Sequence, residues 1–281
     1  MGQHGVIMLI GGRDTGKTTL GKLLARDALG RANTVAYVDA DVGGATVGPL
    51  ACAGLKVIKS MPALESMFRA DEIRFVGSTT PQGVVLQHVV AAAALVEIAK
   101  RKADVVILDT TSVVAGVVGQ TLKYHLMELC APSLVIALQR GAEMEPIVGM
   151  LRRFLSARVA VTEADADVLP PSPLDRKEAT RAAFAAEFGE GLQRWKVQSA
   201  VFAPTLPDGF ELEKLHGMLV GIQDGTGRCL GLGVLEASDG GLVVATTHGE
   251  AMEGLRLGSM RVDLRSFDTQ PVRLRQLIFG I

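Results

Sequence analysis

Val6-Ile7-Met8-Leu9-Ile10-Gly11-Gly12-Arg13-Asp14-Thr15-Gly16-Lys17-Thr18 decides the fold of this chain. Five apolar residues make a strand of the kind that is buried on both faces. They run into G-x-x-x-x-G-K-T, and a helical pattern from Thr19 to Leu29 follows. A strand, a glycine-rich turn and a helix in that order predict a phosphate-binding loop. Glycines let the backbone curl so that successive N–H groups converge on an anion. The helix N-terminus adds its partial positive charge. Gly12, Arg13, Asp14, Thr15, Gly16, Lys17, Thr18 and Thr19 are therefore the expected cradle of a nucleoside triphosphate. Lys17 is expected at the β- and γ-phosphates and the Thr18 hydroxyl on Mg²⁺.

The rest of the chain supports that core. Strand-like runs at Val6–Ile10, Thr34–Val38, Val105–Leu108, Leu134–Leu138 and Ala157–Val161 alternate with helical patterns near 17–29, 83–101, 117–130 and 143–155. The repeat predicts an α/β P-loop NTPase with a doubly wound, mostly parallel sheet, ligands sitting at the C-terminal strand ends. Thr162–Asp175 is rich in Pro, Asp and Ser and reads as a loop before a helix from Arg176 to Phe188. Ala203-Pro204-Thr205-Leu206-Pro207-Asp208-Gly209 reads as a linker. Beyond it, Leu219–Gln223, Cys229–Glu236, Leu242–Thr246 and Ser259–Leu264 are short β-like runs between Gly and Asp turns. The expected division is a P-loop domain over 1–202, a linker over 203–212 and a small antiparallel β module over 213–281. The module carries Arg256, Arg261, Arg265, Arg273 and Arg275 against Asp263 and Asp268. That set fits a phosphate-backbone patch or an ordinary solvated surface.

Composition narrows the function classes. The 281 residues are 48% hydrophobic and 4% aromatic, with a net charge of −1. Without a global basic field, a nucleic-acid partner must be held by local groups. Cys52, Cys130 and Cys229 form no metal-binding spacing and read as reduced core residues of a cytoplasmic protein. The N-terminus enters a strand at once, which predicts no signal peptide. The longest apolar stretch, Val84–Ala99, is interrupted by Gln87, His88 and Glu97. It is shorter than a membrane span and reads as a buried helix, with His88 a hydrogen-bonded core residue.

Acidic residues follow the second and third runs. Tyr37-Val38-Asp39-Ala40-Asp41-Val42-Gly43-Gly44 ends a strand in carboxylates that share one side of an extended chain. Val105-Val106-Ile107-Leu108-Asp109-Thr110-Thr111 ends another in the form of a Walker B strand. Phosphoryl transfer needs carboxylates to hold Mg²⁺ and to accept the proton of an attacking hydroxyl. Asp39, Asp41 and Asp109 are the candidates, and their spacing does not divide the roles among them.

Gly11–Thr18, Asp39-Ala40-Asp41-Val42-Gly43 and Gly77-Ser78-Thr79-Thr80-Pro81, in this order, resemble the polynucleotide 5′-hydroxyl kinases. Their P-loop domain is shared by the eukaryotic pre-mRNA cleavage factor subunit and the ribosomal-RNA processing kinases. The resemblance covers roughly residues 5 to 190. It implies an ATP- and Mg²⁺-dependent kinase acting on the 5′ end of RNA or DNA. Lys17 and Thr18 then match the phosphate and Mg²⁺ residues, and Asp41 the catalytic carboxylate. Thr79 and Thr80 match a loop near the active site, and Gln139 and Arg140 the segment beside the adenine. Arg176 and Lys177 match the lid, whose arginine stabilises charge on the transferred group; Arg181 is a second candidate. Gly44 stands where the family usually has Gln. Thr110-Thr111-Ser112-Val113 stands where it has Thr-x-Gly-Trp, so a base-stacking side chain worth about 1–3 kcal/mol is missing. Trp195 is either a replacement platform or a packing residue at the domain junction.

Two other classes compete. One is a nucleotide switch. Its ParA-like form needs a lysine near the start of the P-loop, and Leu9-Ile10-Gly11-Gly12 has none. Its GTPase form needs Asn/Thr-Lys-x-Asp, and Thr162-Glu163-Ala164-Asp165 puts Glu in place of Lys. The other class is an ATP-binding scaffold without turnover, which the replaced Gln and Trp favour and the intact Lys17, Thr18 and Asp41 oppose.

Overall fold

The computed structural model describes residues 5–155, 158–165, 170–238 and 241–280. The chain folds into two compact units. The first takes in Met1–Gly48, Cys52–Arg74 and Thr80–Pro171, the second Pro49–Ala51, Phe75–Thr79 and Ser172–Ile281.

The first unit is organised by one sheet. Its strands are β1 (Gly5–Gly11), β2 (Val35–Ala40), β3 (Cys52–Ile58), β4 (Glu72–Phe75), β5 (Val105–Thr110), β6 (Leu134–Gln139) and β7 (Arg158–Glu163). Their order is β4-β3-β2-β5-β1-β6-β7. β2, β5, β1, β6 and β7 run parallel, as the alternating pattern predicts. Thr162 and Glu163, expected in a loop, extend β7. Residues 166–169 of that expected loop lie outside the described residues. The helices are α1 (Lys17–Gly30), α2 (Met61–Glu65), α3 (Val85–Lys102), α4 (Gly116–Cys130) and α5 (Glu145–Phe154). Every residue of β2 is buried. Leu9, Val35, Tyr37, Ile58 and Ile107 pack with Ala25 and Ala28 of α1 in one apolar cluster. Burying each large aliphatic side chain there is worth about 1.5–3 kcal/mol.

The expected strands omit β3 and β4. β3 pairs antiparallel with β2, Asp39 opposite Gly54, so the sheet is mixed toward that edge. The apolar stretch Val84–Ala99 forms α3, as its pattern predicts, with its inward face at His88, Ala92, Leu95 and Ala99.

The second unit contains α6 (Pro173–Phe188), strands β8 (Gln193–Val197), β9 (Phe202–Ala203), β10 (Met218–Gln223), β11 (Cys229–Ser238), β12 (Gly241–Thr246), β13 (Gly254–Val262) and β14 (Thr269–Pro271), and α7 (Leu274–Phe279). The sheet runs β14-β13-β10-β11-β12-β8, with β9 added beside β13. β8 and β9 precede residue 204, so this sheet draws on sequence N-terminal to the Pro-containing stretch. α6 begins three residues before Arg176, because Ser172 and Asp175 form a capping box with Pro173 in the first turn. Asp175 N donates to Ser172 Oγ at 3.1 Å and Ser172 N to Asp175 Oδ2 at 2.9 Å. Among the described residues no helix is long and apolar enough to cross a membrane.

Candidate active site

The P-loop joins the end of β1 to α1. Gly16 caps α1 at φ 87°, in the left-handed region where a side chain is strained. This lets the chain turn tightly enough to present its N–H groups together. Thr15 and Lys17 are buried within the loop, and Thr15 Oγ1 donates to Gly12 O at 3.0 Å. Lys17 Nζ donates to the same oxygen at 2.8 Å. Burial lowers the Lys17 pKa, opposed by Asp109, Asp41 and Asp14.

The Thr18 hydroxyl donates to Asp109 Oδ2 at 2.6 Å, joining the helix to the end of β5. Tyr37 OH donates to the same oxygen at 2.9 Å. Asp109 Oδ1 is buried and has no hydrogen-bond partner among the described residues. Burial raises the Asp109 pKa, with the Thr18 hydroxyl and Lys17 acting in the opposite direction. A buried acceptor left open beside a threonine hydroxyl fits a hard divalent cation that takes oxygen ligands and keeps several waters. Among the described residues no three His, Cys, Asp or Glu side chains cluster as a metal cage. A P-loop site needs none, since phosphate oxygens and water complete it.

Asp39 differs from its neighbours. Both its oxygens face backbone amides: Asp41 N at 2.8 Å on Oδ1, and Val47 N at 3.0 Å and Thr46 N on Oδ2. The carboxylate closes the loop over 41–47, so its hydrogen bonds go to the fold and not to the P-loop. Burial, then Asp109 and Asp41, raise its pKa well above the usual range. Asp41 is half-buried and receives only a long 3.4 Å contact from Gly43 N on Oδ1. A Cβ placed on Gly44 would come 3.3 Å from Asp41 Oδ2. The position where the family carries Gln thus adjoins Asp41.

The loop after β6 lies against the P-loop. Arg140 Nη2 donates to Asp14 O at 2.6 Å. Glu143 Oε1 accepts from Arg140 N at 2.8 Å and Oε2 from Gly141 N at 3.0 Å, which shapes this loop. Gln139 Oε1 is buried without a hydrogen-bond partner among the described residues. Arg13 and Thr19 are exposed at the rim of the P-loop.

Three features were not singled out by the sequence. Tyr37 is the aromatic partner of Asp109. Glu143 sets the β6 loop. Lys123 is a fully buried lysine that bonds to Thr110 and Thr111. Lys123 falls on the inward period of α4 with Gly119, Leu122, Leu126 and Cys130, the signal that marks it. His88 is the core residue expected: it is fully buried and Nε2 bonds to Ala40 O at 2.7 Å.

In the second unit, Lys177 and Arg181 both meet Asp268. Lys177 Nζ lies 3.0 Å from Oδ1, and Arg181 Nη2 lies 2.8 and 2.7 Å from the two oxygens. The pair holds the Asp268 carboxyl well below the usual carboxylate range. Arg176 is half-buried near the start of α6. Gly77 O accepts from Ser259 N at 2.7 Å, which fixes the start of the Gly-Ser-Thr-Thr-Pro run in this unit. Trp195 packs against the core cluster around Val220 and Val244. A Cβ on Gly249 would meet its indole at 2.0 Å. Of the arginines on the β module, Arg261 donates to Lys214 O at 2.8 Å. It lines a groove with Arg265 in which Glu236, Asp263 and Asp268 alternate with the bases.

The sequence profile of the mRNA cleavage and polyadenylation factor CLP1 P-loop matches residues 11–188. The chain is 28% identical to a polyribonucleotide 5′-hydroxyl-kinase of Pyrococcus abyssi, over 82% of this chain and 78% of that protein. It is 28% identical to the protein of the same name from Thermococcus kodakarensis, over 91% of this chain and 88% of the relative. A structure of the wild-type Clp1p–Pcf11p complex superposes with a TM-score of 0.68 at 13% identity, covering 92% of this chain and 74% of that one.

Proposed function

The chain belongs to the mRNA cleavage and polyadenylation factor CLP1 P-loop family, and on that footing we propose that it is an ATP-dependent polyribonucleotide 5′-hydroxyl kinase. The observation that carries this reading is the junction of Lys17, Thr18, Asp41 and Asp109 at the ends of adjacent parallel strands. Relatives named for this activity cover most of the chain.

The terminal 5′-hydroxyl oxygen of the acceptor attacks the γ-phosphorus. The bond from that phosphorus to the β,γ-bridging oxygen breaks, and ADP leaves with the electron pair. Asp41 takes the hydroxyl proton, as its open oxygens at the strand end permit. Lys17 exchanges Gly12 O for oxygens of the β- and γ-phosphates and offsets their charge. P-loop amides from Gly12 to Thr19 hold the phosphates. Thr18 and Asp109 would hold Mg²⁺, which would supply positive charge to offset that developing on the transferred group. Asp39 shapes the loop carrying Asp41 and takes no metal. Arg176 serves as the lid arginine, the position that the resemblance matches, and Lys177 and Arg181 pair with Asp268 beside it on α6. Gln139 and Arg140 line the side of the adenine. Cys52, Cys130 and Cys229 are buried and none is in a disulfide, which supports a cytoplasmic setting.

A second reading, an ATP-binding scaffold, is favoured by Gly44 and Val113 at the Gln and Trp positions. One experiment separates them. ATP labelled on the γ-phosphate is incubated with Mg²⁺ and 5′-hydroxyl RNA or DNA oligonucleotides, alongside a control without acceptor. Label on RNA, lost in Asp41→Asn, is the expected result. Free phosphate without labelled oligonucleotide would favour a switch, and bound but unconsumed ATP the scaffold.

A further inference from the structure

Lys123 is a charged side chain that the preceding mechanism does not use, and it is fully buried in α4. Its ammonium donates to Thr110 Oγ1 at 2.9 Å and to Thr111 O. Thr110 Oγ1 in turn donates to Leu9 O at 2.7 Å. Leu9 is the strand partner of Asp109. A hydrogen-bonded line therefore runs from α4, through the residue after Asp109, to the strand that enters the P-loop.

Packing alone gives no reason for an ammonium here. Its neighbours on the inward face of α4 include Leu122, Leu126 and Met127. An aliphatic side chain would fill such a position without the cost of burying charge. Burial and the nearby Lys17 bring the Lys123 pKa down to about 7, while Asp41 and Asp109 pull it back up. The ammonium thus sits within the same electrostatic cluster as the P-loop lysine and both carboxylates. What it supplies, and an aliphatic side chain does not, is a fixed pair of donors for the acceptors at the end of β5.

Resting on the kinase reading, we propose that Lys123 is a positioning residue that locks Thr110 and Thr111 at the end of β5 and so holds Asp109 against Thr18 in the geometry that Mg²⁺ requires. Lys123 gives its hydrogen bonds to Thr110 and Thr111. It acts through the backbone that carries Asp109, whose Oδ1 stays open as a ligand.

The test uses the whole chain in four forms: wild type, Lys123→Met, Thr110→Val and the double variant. Binding of a fluorescent ATP analogue is titrated against Mg²⁺, and unfolding is followed on the same samples. Lys123→Met should raise the Mg²⁺ midpoint by about 10–100-fold, the usual effect of losing a group that orients a metal ligand. Metal-free nucleotide binding should stay unchanged. Thr110→Val breaks the line at its second atom and should shift the midpoint in the same direction. The double variant should add little to either, as coupled residues do. A folded Lys123→Met protein with the wild-type midpoint overturns the proposal. If Lys123→Met does not fold, Thr110→Val decides: a shifted midpoint supports the proposal and an unshifted one overturns it. Nucleotide binding needs no RNA, so absent transfer by the wild type would count against the kinase reading alone.

Discussion

Strands β2 and β5 lie side by side, with Asp39 opposite Asp109 in register. Each is an apolar strand that ends in a carboxylate next to the P-loop. Asp39 receives the amides of Asp41, Thr46 and Val47 and is enclosed by its own loop. Asp109 receives the hydroxyls of Thr18 and Tyr37 on one oxygen and keeps the other open. On the proposed roles, the carboxylate whose lone pair faces the site, Asp109, is the metal ligand and the enclosed one, Asp39, is not. On β2 the exposed chemistry passes to Asp41, two residues on, where the chain has left the strand.

Substitutions at and around the two strand ends probe this division of roles. Lys17→Ala should have the largest effect, slowing phosphoryl transfer by at least about 10²–10³-fold, as loss of a group that stabilises developing charge does. Single-turnover transfer rates measure it, and retained activity would remove the P-loop lysine from the mechanism. Asp39→Ala leaves three amides without their acceptor and should lower stability by about 2–3 kcal/mol. Its folded fraction should keep most of the wild-type turnover. Urea unfolding together with active-site titration checks both halves. A stable Asp39→Ala protein with weakened Mg²⁺ binding would return Asp39 to the metal site.

His88, beneath Ala40, tests the same strand end through pH. Burial lowers its pKa from 6.5 to about 4, so the folded state favours the neutral ring. Its contribution is full above the unfolded value of 6.5 and is lost as pH falls toward about 4. Linkage makes that loss roughly 3 kcal/mol. His88→Gln should remove this component, so the difference in unfolding free energy between wild type and variant should change across that window. A constant difference would mean that His88 is not held neutral by burial. Gly44→Gln places an amide beside Asp41 and should have the smallest effect, a change in turnover of about tenfold or less, the scale of 1.4 kcal/mol. No change in turnover or in Mg²⁺ dependence would show that position 44 does not reach the carboxylate.

Much of this was legible in the sequence because the signals are local. The run from Val6 to Ile10, the Gly-Lys-Thr turn and the helix behind it define β1, the P-loop and α1 without long-range information. The parallel strands announce themselves as apolar runs of the length of a buried strand. β3 does not. Cys52-Ala53-Gly54-Leu55 carries small residues in place of β-branched ones, because β3 passes close to the loop that Asp39 closes. A Cβ on Gly54 would lie 2.0 Å from Val47 O. Position 54 is chosen by that approach and so reads poorly as strand. The proposed division of labour among Asp39, Asp41 and Asp109 was hidden for a related reason. Amides of residues 41, 46 and 47 take up Asp39, and no spacing rule encodes which side chain a loop will wrap. Lys123 was hidden because a helix lysine reads as solvent-facing, although its inward period with Leu122 and Leu126 was present in the sequence.

The division between Asp41 and Asp39 is decided by single-turnover transfer of γ-phosphate to a 5′-hydroxyl RNA. Asp41→Asn and Asp39→Ala are run beside the wild type, with nucleotide affinity determined on each. Asp41→Asn should slow transfer by about 10²–10⁴-fold, the usual contribution of a general base, with ATP affinity nearly unchanged. Folded Asp39→Ala should transfer phosphate at close to the wild-type rate. Normal transfer by Asp41→Asn, with transfer abolished in folded Asp39→Ala, would contradict these roles.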